Sequence, residues 1–272
     1  MDIKVFVCCH KKDFCFSESP YIPFQVGKLA NGIDLGMESD ADGDDNISGK
    51  NPWYCELTAQ YWIWKNCKDA DYVGLCHYRR YFDFKPTLFD RLRCYKFVGE
   101  DYLPDHLRID PAFLASADVV TVSPQNFNLP SYAVLCRGHI RQDVRELEKI
   151  VEDLYPDYIE DYRYVMYEEN YFFPYNMMIA KREIFNDYSK WLFDILFELE
   201  KRLCVPADPY QPRVFGFYSE RLMGVFLHHH LEYKVKHLPV LQLIEKKNQP
   251  LVLLKAREYV RNFACFLYKK TN

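Results

Sequence analysis

The most informative stretch of this chain reads YVGLCHYRRYF and covers residues 72–82. Its first five residues form a short apolar run, which predicts a buried β-strand. The run stops at His77, and Arg79 and Arg80 follow among aromatic side chains. Because ligands of open α/β sheets bind beyond the carboxyl ends of strands, we expect this strand end to belong to a binding site.

The side chains after this strand predict an anionic ligand that carries a ring. Arginine presents paired N–H donors that match phosphate oxygens, so Arg79 and Arg80 are candidate ligands of a diphosphate. We expect His77 to contact the same ligand or to orient an arginine, and Tyr78 to pack on its base or sugar. A nucleotide sugar fits this description. The structural alternative is a strand end whose arginines pair with nearby acids.

Composition narrows the function classes. At 272 residues the chain is long enough for one large domain or two small ones. Its net charge of −4 disfavours nucleic acid as a partner. It has ten glycines, with neither a G-x-G-x-x-G fingerprint nor a Walker A sequence. A nucleotidyltransferase, which would favour a glycine-rich phosphate loop, is therefore a weaker alternative.

The N-terminus and the cysteines predict a compartment. A strand-like run, IKVFV at residues 3–7, comes directly after the start, with no basic and apolar signal segment. No window approaches the roughly 18 apolar residues of a membrane-spanning helix. We therefore expect a cytoplasmic protein whose ten cysteines are reduced thiols.

Strand and helix patterns alternate along the chain. Strand patterns occur at residues 3–9, 72–77, 117–122, 176–180 and 233–243. Helical patterns occur at residues 52–67, 139–154, 182–203, from 215 onward and at 251–270. Such alternation predicts an α/β fold with a mostly parallel sheet flanked by helices. We expect one domain, residues 1–250, followed by a helical extension, residues 251–272.

Local signals predict several contacts. Asn51 is expected to cap the helix at 52–67, and Ser219 to cap a helix whose first turn holds Glu220. His139 and Asp143 lie four residues apart and are expected to share one face of a helix. Asp118 stands near the start of its strand, which favours a structural hydrogen bond.

Several segments together resemble a bacterial family of capsular and exopolysaccharide glycosyltransferases catalogued as a domain of unknown function (DUF4422). The matching pieces are Asn46-Ile47-Ser48, Asn51, Cys55-Glu56-Leu57-Thr58, residues 61–66, 77–82, Asn176-Met177, Ile179, residues 191–193, Arg213, Gly216-Phe217 and Glu220-Arg221-Leu222. The resemblance implies a GT-A-like, Rossmann-like fold that binds nucleoside-diphosphate sugars. It implies transfer of a sugar onto a growing surface glycan. For some relatives it implies transfer of galactofuranose from its UDP donor with inversion.

Sugar transfer of this kind assigns roles to particular residues. In an inverting reaction a carboxylate takes the proton of the acceptor hydroxyl, and Glu220 is our first candidate, with Asp143 and Glu56 in reserve. The candidate donor-binding residues are His77, Tyr78, Arg79, Arg80, Asn51, Glu56 and Thr58. The candidate acceptor-binding residues are His139, Asp143, Asn176 and Arg221. The alternative function is a non-catalytic module that binds a nucleotide sugar or a glycan.

The sequence does not predict a metal site. The only Asp-x-Asp motif, Asp40-Ala41-Asp42, lies in a loop with no strand before it. We hypothesise that Arg79 and Arg80 neutralise the departing diphosphate and reduce the need for metal, while Mn²⁺ or Mg²⁺ stays open as a cofactor. The His228-His229-His230 run points in different directions on a helix, which disfavours zinc.

The C-terminal segment, residues 251–270, predicts a basic amphipathic helix. Such a helix can lie on an anionic membrane, and the acceptor is expected to be a lipid-linked glycan or an oligosaccharide. We therefore expect peripheral contact with the inner face of the cell membrane through this helix. The alternative is a helix packed against the domain.

Overall fold

The computed structural model describes residues 1–203, 213–244 and 250–270. Cys204 and the last two residues of the predicted extension lie outside these ranges. The strands are β1 (Ile3–Cys9), β2 (Tyr21–Gln25), β3 (Tyr72–His77), β4 (Arg80–Phe82), β5 (Tyr95–Val98), β6 (Val119–Val122), β7 (Gln125–Asn126), β8 (Tyr171–Phe172), β9 (Met178–Lys181), β10 (Val235–Leu238) and β11 (Val240–Leu243).

Helices pack around these strands. They are α1 (Lys28–Asn31), α2 (Asn51–Tyr54), α3 (Leu57–Asn66), α4 (Leu103–His106), α5 (Pro111–Ala115), α6 (Ser131–Leu135), α7 (Arg141–Leu154), α8 (Ile159–Arg163), α9 (Arg182–Arg202), α10 (Val214–His229) and α11 (Leu251–Leu267). The predicted α/β fold is confirmed, and each of the five predicted strand regions contains a strand.

One large sheet organises the molecule. β1 lies between β2 and β3, parallel to both. Next to β3 stand β9 and then β6, each antiparallel to its neighbour, and β10 closes this side parallel to β6. On the other side the antiparallel pairs β3–β4 and β4–β11 lead to β5, which is parallel to β11. The sheet is thus mixed, because β4 and β9 run against the other strands.

The centre of the sheet is tightly packed around Gly74 in β3. A Cβ atom at this position would lie 2.2 Å from the carbonyl oxygen of Met178 and 2.7 Å from the Cα of Ile179, both in β9. Only glycine permits this approach of two backbones. The close pairing fixes where β9 begins, and therefore where the residues just before it, Tyr175 and Asn176, meet the end of β3.

Several local predictions were wrong. The helix predicted at 52–67 is divided into α2 and α3 by Cys55, which has a φ of 53°. Asn51 does not cap it, because its side chain turns inward to the carbonyl of Cys55. Ser219 lies inside α10, not at its start. His139 precedes α7, so it does not share a helix face with Asp143.

Two other features agree with expectation. Asp118 forms an ion pair with Lys181 at 2.7 Å and accepts a hydrogen bond from the backbone N–H of Lys234, which is the structural role predicted for it. The C-terminal helix is present as α11. Across the described residues, every helix is too short or too polar to cross a membrane.

Candidate active site

A cavity of about 470 Å³ opens at the carboxyl ends of β1 and β3. Its walls come from the loop after β1, the turn between β3 and β4, the α2–α3 junction and the residue before α10. The lining residues are Cys8, His10, Lys11, Val26, Asn51, Pro52, Cys55, Glu56, His77, Tyr78, Arg79, Arg80 and Arg213. The volume is in the range of small-molecule sites, and the position is the one that the sequence predicted.

The lining is strongly cationic. Lys11, Arg79, Arg80 and Arg213 face a single carboxylate, Glu56. These four cations come from different places in the chain, so the fold itself brings them together. Fixed cations around a partly enclosed space attract an anion and stabilise negative charge that develops there.

Arg79 pairs with a nearby acid, as the structural alternative for this strand end predicts. Its guanidinium forms an ion pair with Asp13 at 2.7 Å, and its Cζ lies 5.1 Å from the ring centroid of Tyr78. Asp13 belongs to the loop after β1, so this pair ties that loop to the turn after β3. The pairing fixes Arg79 at the mouth of the cavity.

Arg80 is held mainly by an aromatic ring. Its Cζ lies 4.4 Å from the ring centroid of Tyr175, a distance typical of a cation–π contact. Its buried Nε has no hydrogen-bond partner among the described residues. A buried donor without a partner is costly, so this guanidinium would gain from an acceptor such as a phosphate oxygen.

His77 anchors the segment before β9. Its Nε2 lies 2.8 Å from the carbonyl oxygen of Tyr175. Since a carbonyl only accepts, the proton of the ring sits on Nε2. Burial lowers the pKa of His77, against an opposing effect of Glu56. The neutral ring therefore positions Tyr175 and, through it, Arg80.

Backbone strain is concentrated at this site. Four non-glycine residues in the described ranges have positive φ: Cys55 (53°), Tyr175 (75°), Asn176 (51°) and Arg213 (77°). Cys55 and Arg213 line the cavity, while Tyr175 and Asn176 contact residues that do. Such conformations persist only where the surrounding structure enforces them, and they cluster at functional sites.

Two buried carboxylates, Glu56 and Glu220, lie close together, one lining the cavity and the other in an adjoining pocket. Glu56 accepts a hydrogen bond from Nδ2 of Asn176 at 2.7 Å. Glu56 also lines a small adjoining pocket together with Glu220, Cys55, Arg213, Gly216 and Phe217. Through this pocket Glu220 borders the main cavity, which it does not itself line.

Glu220 is a buried carboxyl group with a raised pKa. Its Oε1 accepts a hydrogen bond from the backbone N–H of Tyr175 at 2.6 Å, and its Oε2 pairs with Arg221 at 3.0 Å. Burial raises the pKa of Glu220 to about 7, although Arg221 acts in the opposite direction. A carboxylate with a pKa near the working pH is well suited to accept a proton.

Asn176 and Arg221 hold the two carboxylates in place. Asn176 donates to Glu56 and to the carbonyl of Gly216, and it accepts from the hydroxyl of Ser219. Arg221 donates to Glu220 and to a carbonyl of its own helix, and its Cζ lies 4.1 Å from the ring centroid of Phe172. Both are almost completely buried. Their contacts are those of positioning residues and not of acceptor ligands.

The remaining predicted donor residues differ in access. Asn51 lines the cavity while its Nδ2 donates to the carbonyl of Cys55 and to the hydroxyl of Thr58. Thr58 is fully buried and donates to Asp40 at 2.5 Å. It therefore contacts Asn51, which lines the cavity, without lining the cavity itself.

His139 and Asp143, predicted on the acceptor side, also lie outside the cavity lining. The ring of His139 packs against those of Phe217 and Tyr218, at centroid distances of 5.2 and 5.5 Å. Burial, aided by Arg221, lowers the pKa of His139 to about 4. Burial also raises the pKa of Asp143.

The metal ligands that the sequence offered are held in contacts with other groups of the described chain. Residues 1–203, 213–244 and 250–270 contain no group of three or more histidine, cysteine or acidic side chains able to hold one. Asp40 of the Asp-x-Asp motif accepts hydrogen bonds from the backbone N–H of Gly27 and from the hydroxyls of Ser48 and Thr58. His228 and His229 both bond to Asp161 at 2.7 Å.

Seven of the lining residues were not among the predicted site residues, namely Cys8, His10, Lys11, Val26, Pro52, Cys55 and Arg213. The polar run after the first strand was a usable signal for His10 and Lys11. Arg213 gave no local signal, because it reaches the cavity only through the packing of α10 on α2. Burial raises the pKa of Cys55 to about 12, so it is a protonated thiol that accepts a hydrogen bond from Nε of Arg213.

Comparisons with known proteins place this geometry among known folds. Residues 4–231 match the family described as "Domain of unknown function (DUF4422)". A comparison with curated proteins found no match. A solved structure of WbbM, titled a bifunctional glycosyltransferase in its apo form, is 28% identical with a TM-score of 0.79. The likeness covers 92% of this chain and 48% of WbbM, so this chain spans about half of that protein.

A second solved structure is glucosyl-3-phosphoglycerate synthase from Mycobacterium tuberculosis in complex with Mn²⁺, UDP and glucosyl-3-phosphoglycerate. It is 12% identical, covers 97% of this chain and 80% of its own, and has a TM-score of 0.31. The likeness to WbbM confirms the predicted GT-A-like fold.

Proposed function

This chain belongs to the family described as a domain of unknown function (DUF4422), and we propose that it is a glycosyltransferase. It moves a hexose from a UDP-sugar to a growing capsular or exopolysaccharide glycan, with inversion at the anomeric carbon. Galactofuranose is the candidate sugar that the family resemblance suggests. The likeness to WbbM, which is titled a glycosyltransferase, supports the reaction class.

One observation carries the proposal. Four cationic side chains, Lys11, Arg79, Arg80 and Arg213, converge on one cavity that Glu56 also lines, with Glu220 in the adjoining pocket. A departing nucleoside diphosphate needs the cations, and an acceptor hydroxyl needs a carboxylate. A module that only bound glycans would need neither the strained backbone nor a carboxyl whose pKa is about 7.

The chemistry follows from these positions. The bond between the anomeric carbon and the diphosphate oxygen breaks, and its electron pair leaves with UDP. Arg80 and Arg213 stabilise that charge, and Arg79 does so from its ion pair with Asp13. The acceptor oxygen attacks from the opposite face, and its proton passes to the carboxylate of Glu220. Asn176 and Arg221 keep the carboxylates oriented.

No step of this mechanism uses a divalent cation. The lining offers cations where a metal would need carboxylates, and Glu56 is the single acid among the residues that surround the cavity. Dependence on Mn²⁺ or Mg²⁺ is measured by removing metal with EDTA. Activity that EDTA abolishes and Mn²⁺ restores would contradict the role given to the guanidiniums.

The acceptor and the cellular place are part of the proposal. A lipid-linked glycan or an oligosaccharide is the acceptor, and the protein works in the cytoplasm at the inner face of the membrane, with peripheral contact through α11. The basic composition of α11 supports this placement. Nucleic acid is not a partner.

The experiment separates a transferase from a binding module. The protein is incubated with a panel of UDP-hexoses, and two readouts are taken: the melting temperature and the release of UDP. Binding to the folded state raises the melting temperature, and an enzyme also releases UDP, slowly by hydrolysis and faster with acceptor. A thermal shift without UDP release from any donor, with or without glycan acceptor, would favour the binding module. No shift with any donor would contradict both.

A further inference from the structure

Helix α11 touches the rest of the protein through one narrow stripe. Four of its seventeen residues are buried, namely Leu254, Glu258, Asn262 and Cys265. They are spaced by four, four and three positions, so they lie on one side of the helix. The remaining surface of α11 is available for another contact.

Two polar residues, Glu258 and Asn262, stand at the centre of the buried stripe. Their side chains form hydrogen bonds with backbone groups at the edge of the sheet. Asn262 accepts from the backbone N–H of Cys94 at 2.9 Å and donates to the carbonyl of Tyr95 at 2.8 Å. Glu258 accepts from the backbone N–H of Phe97 at 2.8 Å and pairs with Arg93. These bonds saturate the open edge of β5, which would otherwise expose unpaired backbone groups. They fix which side of α11 faces inward.

The outward side of α11 is apolar, the reverse of an ordinary surface helix. Eight large apolar or aromatic side chains of α11 are each 55–78% exposed. They are Leu251 and Leu253 together with a set of six, namely Val252, Tyr259, Val260, Phe263, Phe266 and Leu267. Patches of this kind mark interaction surfaces in soluble proteins.

A neighbouring loop, residues 87–92, extends the apolar surface. Its Leu88, Phe89 and Leu92 are 58–83% exposed. Leu92 and Phe266 line one cavity of about 410 Å³, which therefore connects the loop to the C-terminal end of α11. We call the six α11 side chains and these three loop side chains the apolar face.

Basic side chains surround the apolar face. The cavity at its edge is lined by Arg91, Arg93, Lys269 and Lys270, with Glu169 as its single acid. Lysine and arginine account for five residues between 251 and 270, while the one acid there, Glu258, is buried. The whole chain carries a net charge of −4, so positive charge is concentrated where the exposed apolar side chains are.

We propose that the apolar face lies on an anionic lipid bilayer and that the cavity at its edge receives a lipid phosphate headgroup. Large apolar side chains enter the interface between headgroups and acyl chains, while the basic side chains meet the anionic surface. A second copy of this chain fits less well, because two such faces would bring their basic side chains together.

The proposal names the residues behind the peripheral membrane contact, and it rests on the proposed function only for the reason why a transferase would occupy a membrane. The active-site cavity and the apolar face are separate, so donor binding and lipid binding are measured independently. Failure of lipid binding with intact UDP release would reject this inference alone.

The test is co-sedimentation of the full chain with vesicles. We expect binding to vesicles of equimolar phosphatidylcholine and phosphatidylglycerol, little binding to phosphatidylcholine alone, and weakening by salt. The double variant Val260→Asp/Phe263→Asp should lose binding to the mixed vesicles and the small remaining binding to phosphatidylcholine. Arg91→Glu/Lys269→Glu should lose at least about thirtyfold in affinity for the anionic vesicles, at about 1 kcal/mol for each of the two basic residues removed. Inorganic phosphate alone should not compete at millimolar concentration.

The matched control is Leu231→Asp. Leu231 is 79% exposed but lies in the turn between α10 and β10, outside the apolar face. It should bind vesicles like the unsubstituted chain, and every variant should keep its thermal shift with UDP-sugar as evidence of folding. The proposal would be overturned if Val260→Asp/Phe263→Asp bound the anionic vesicles as tightly as the unsubstituted chain. Absence of vesicle binding combined with self-association that this double variant abolishes would also overturn it, since the face would then belong to a second copy.

Discussion

The two cavities of this protein are both cationic, yet they are built differently. In the active-site cavity the cations stand over buried carboxylates, and all four positive-φ, non-glycine residues of the described chain line it or contact its lining. In the cavity beside α11 the cations lie next to exposed apolar side chains, and none of the lining residues has a positive φ. Charge alone therefore does not identify a reaction centre. Burial and backbone strain distinguish the two.

The two cavities differ in the free energy that is needed to hold their residues in place. A residue held in a rare backbone conformation costs about 1–3 kcal/mol, and a buried carboxyl must be hydrogen-bonded to be tolerated. Glu56, Asn176, Ser219 and Glu220 form part of such a bonded network. An electrostatic docking surface needs none of this, because exposed charges act through solvent.

Removing the carboxylate should have the largest effect. Glu220→Gln keeps the shape of the side chain and removes its basicity, so we expect turnover to fall about 100-fold to 10,000-fold with little change in donor affinity. The measurement is steady-state sugar transfer together with the donor-induced thermal shift.

Glu56→Gln and Glu198→Gln accompany this variant. Glu56 lines the same small pocket and is a reserve base, while Glu198 is a half-buried residue of α9 in contact with Lys201 and Arg202. If Glu56→Gln loses more turnover than Glu220→Gln, the base is Glu56. Glu198→Gln should behave like the unsubstituted protein.

Arginine substitutions test the two cavities against each other. Arg80→Ala removes a guanidinium from the diphosphate site, so we expect transfer to fall about 100-fold and UDP to bind more weakly. Arg80→Lys should recover little, because lysine lacks the paired donors. Arg91→Ala removes a guanidinium from the cavity beside α11 and should leave transfer to a soluble acceptor unchanged. Equal losses in Arg80→Ala and Arg91→Ala would contradict the distinction drawn between the cavities.

The pH dependence of the rate should report Glu220. A base acts only when deprotonated, so kcat/KM should rise with pH, with a midpoint near the pKa of about 7 for Glu220, and level off above it. The rising limb should be absent from the residual activity of Glu220→Gln. A limb that persists unchanged there would belong to another group.

The same pKa ties stability to pH with a definite sign. Glu220 releases its proton at about 7 in the folded protein and at about 4.5 when unperturbed. Between these values the folded form binds more protons than the unfolded chain, so the free energy of unfolding falls as pH rises. The full effect is on the order of 3 kcal/mol. Denaturant titrations across this pH range should show a shallower decline for Glu220→Gln than for the unsubstituted protein, and parallel curves would contradict the assignment.

Much of the fold could be predicted from sequence, because strands and amphipathic helices leave local periodic patterns. The run that ends at His77 is such a pattern, and its basic residues do line a cavity. The break at Cys55 could not be predicted, since no local pattern specifies a φ of 53° at a cysteine, and Cys55 meets α10 near Gly216, a residue far away in the sequence. Local patterns do not encode such contacts.

The candidate site shows the same limit. Ser219 and Glu220 look like the start of a helix, yet α10 begins five residues earlier, after Arg213 in a left-handed conformation. That shift turns Ser219 toward Asn176 and Glu220 toward Tyr175. For α11 the amphipathic pattern was visible, but which side faced inward was not, because Asn262 and Glu258 are buried only by the open edge of β5.

The smallest expected effect comes from relieving strain at Cys55. Glycine adopts its φ of 53° without steric conflict, so Cys55→Gly should gain part of the roughly 1–3 kcal/mol held as strain, less the entropy that glycine loses on folding. Arg213 would lose its sulfur contact at 3.4 Å, so UDP should bind about two- to fivefold more weakly. Thermal melting and UDP titration measure both quantities. Cys265→Ala, at a buried cysteine with ordinary backbone within α11, is the control: it should lower stability without changing UDP affinity. If both variants lower stability alike, the backbone at Cys55 is not strained, and the contrast between the cavities would rest on burial alone.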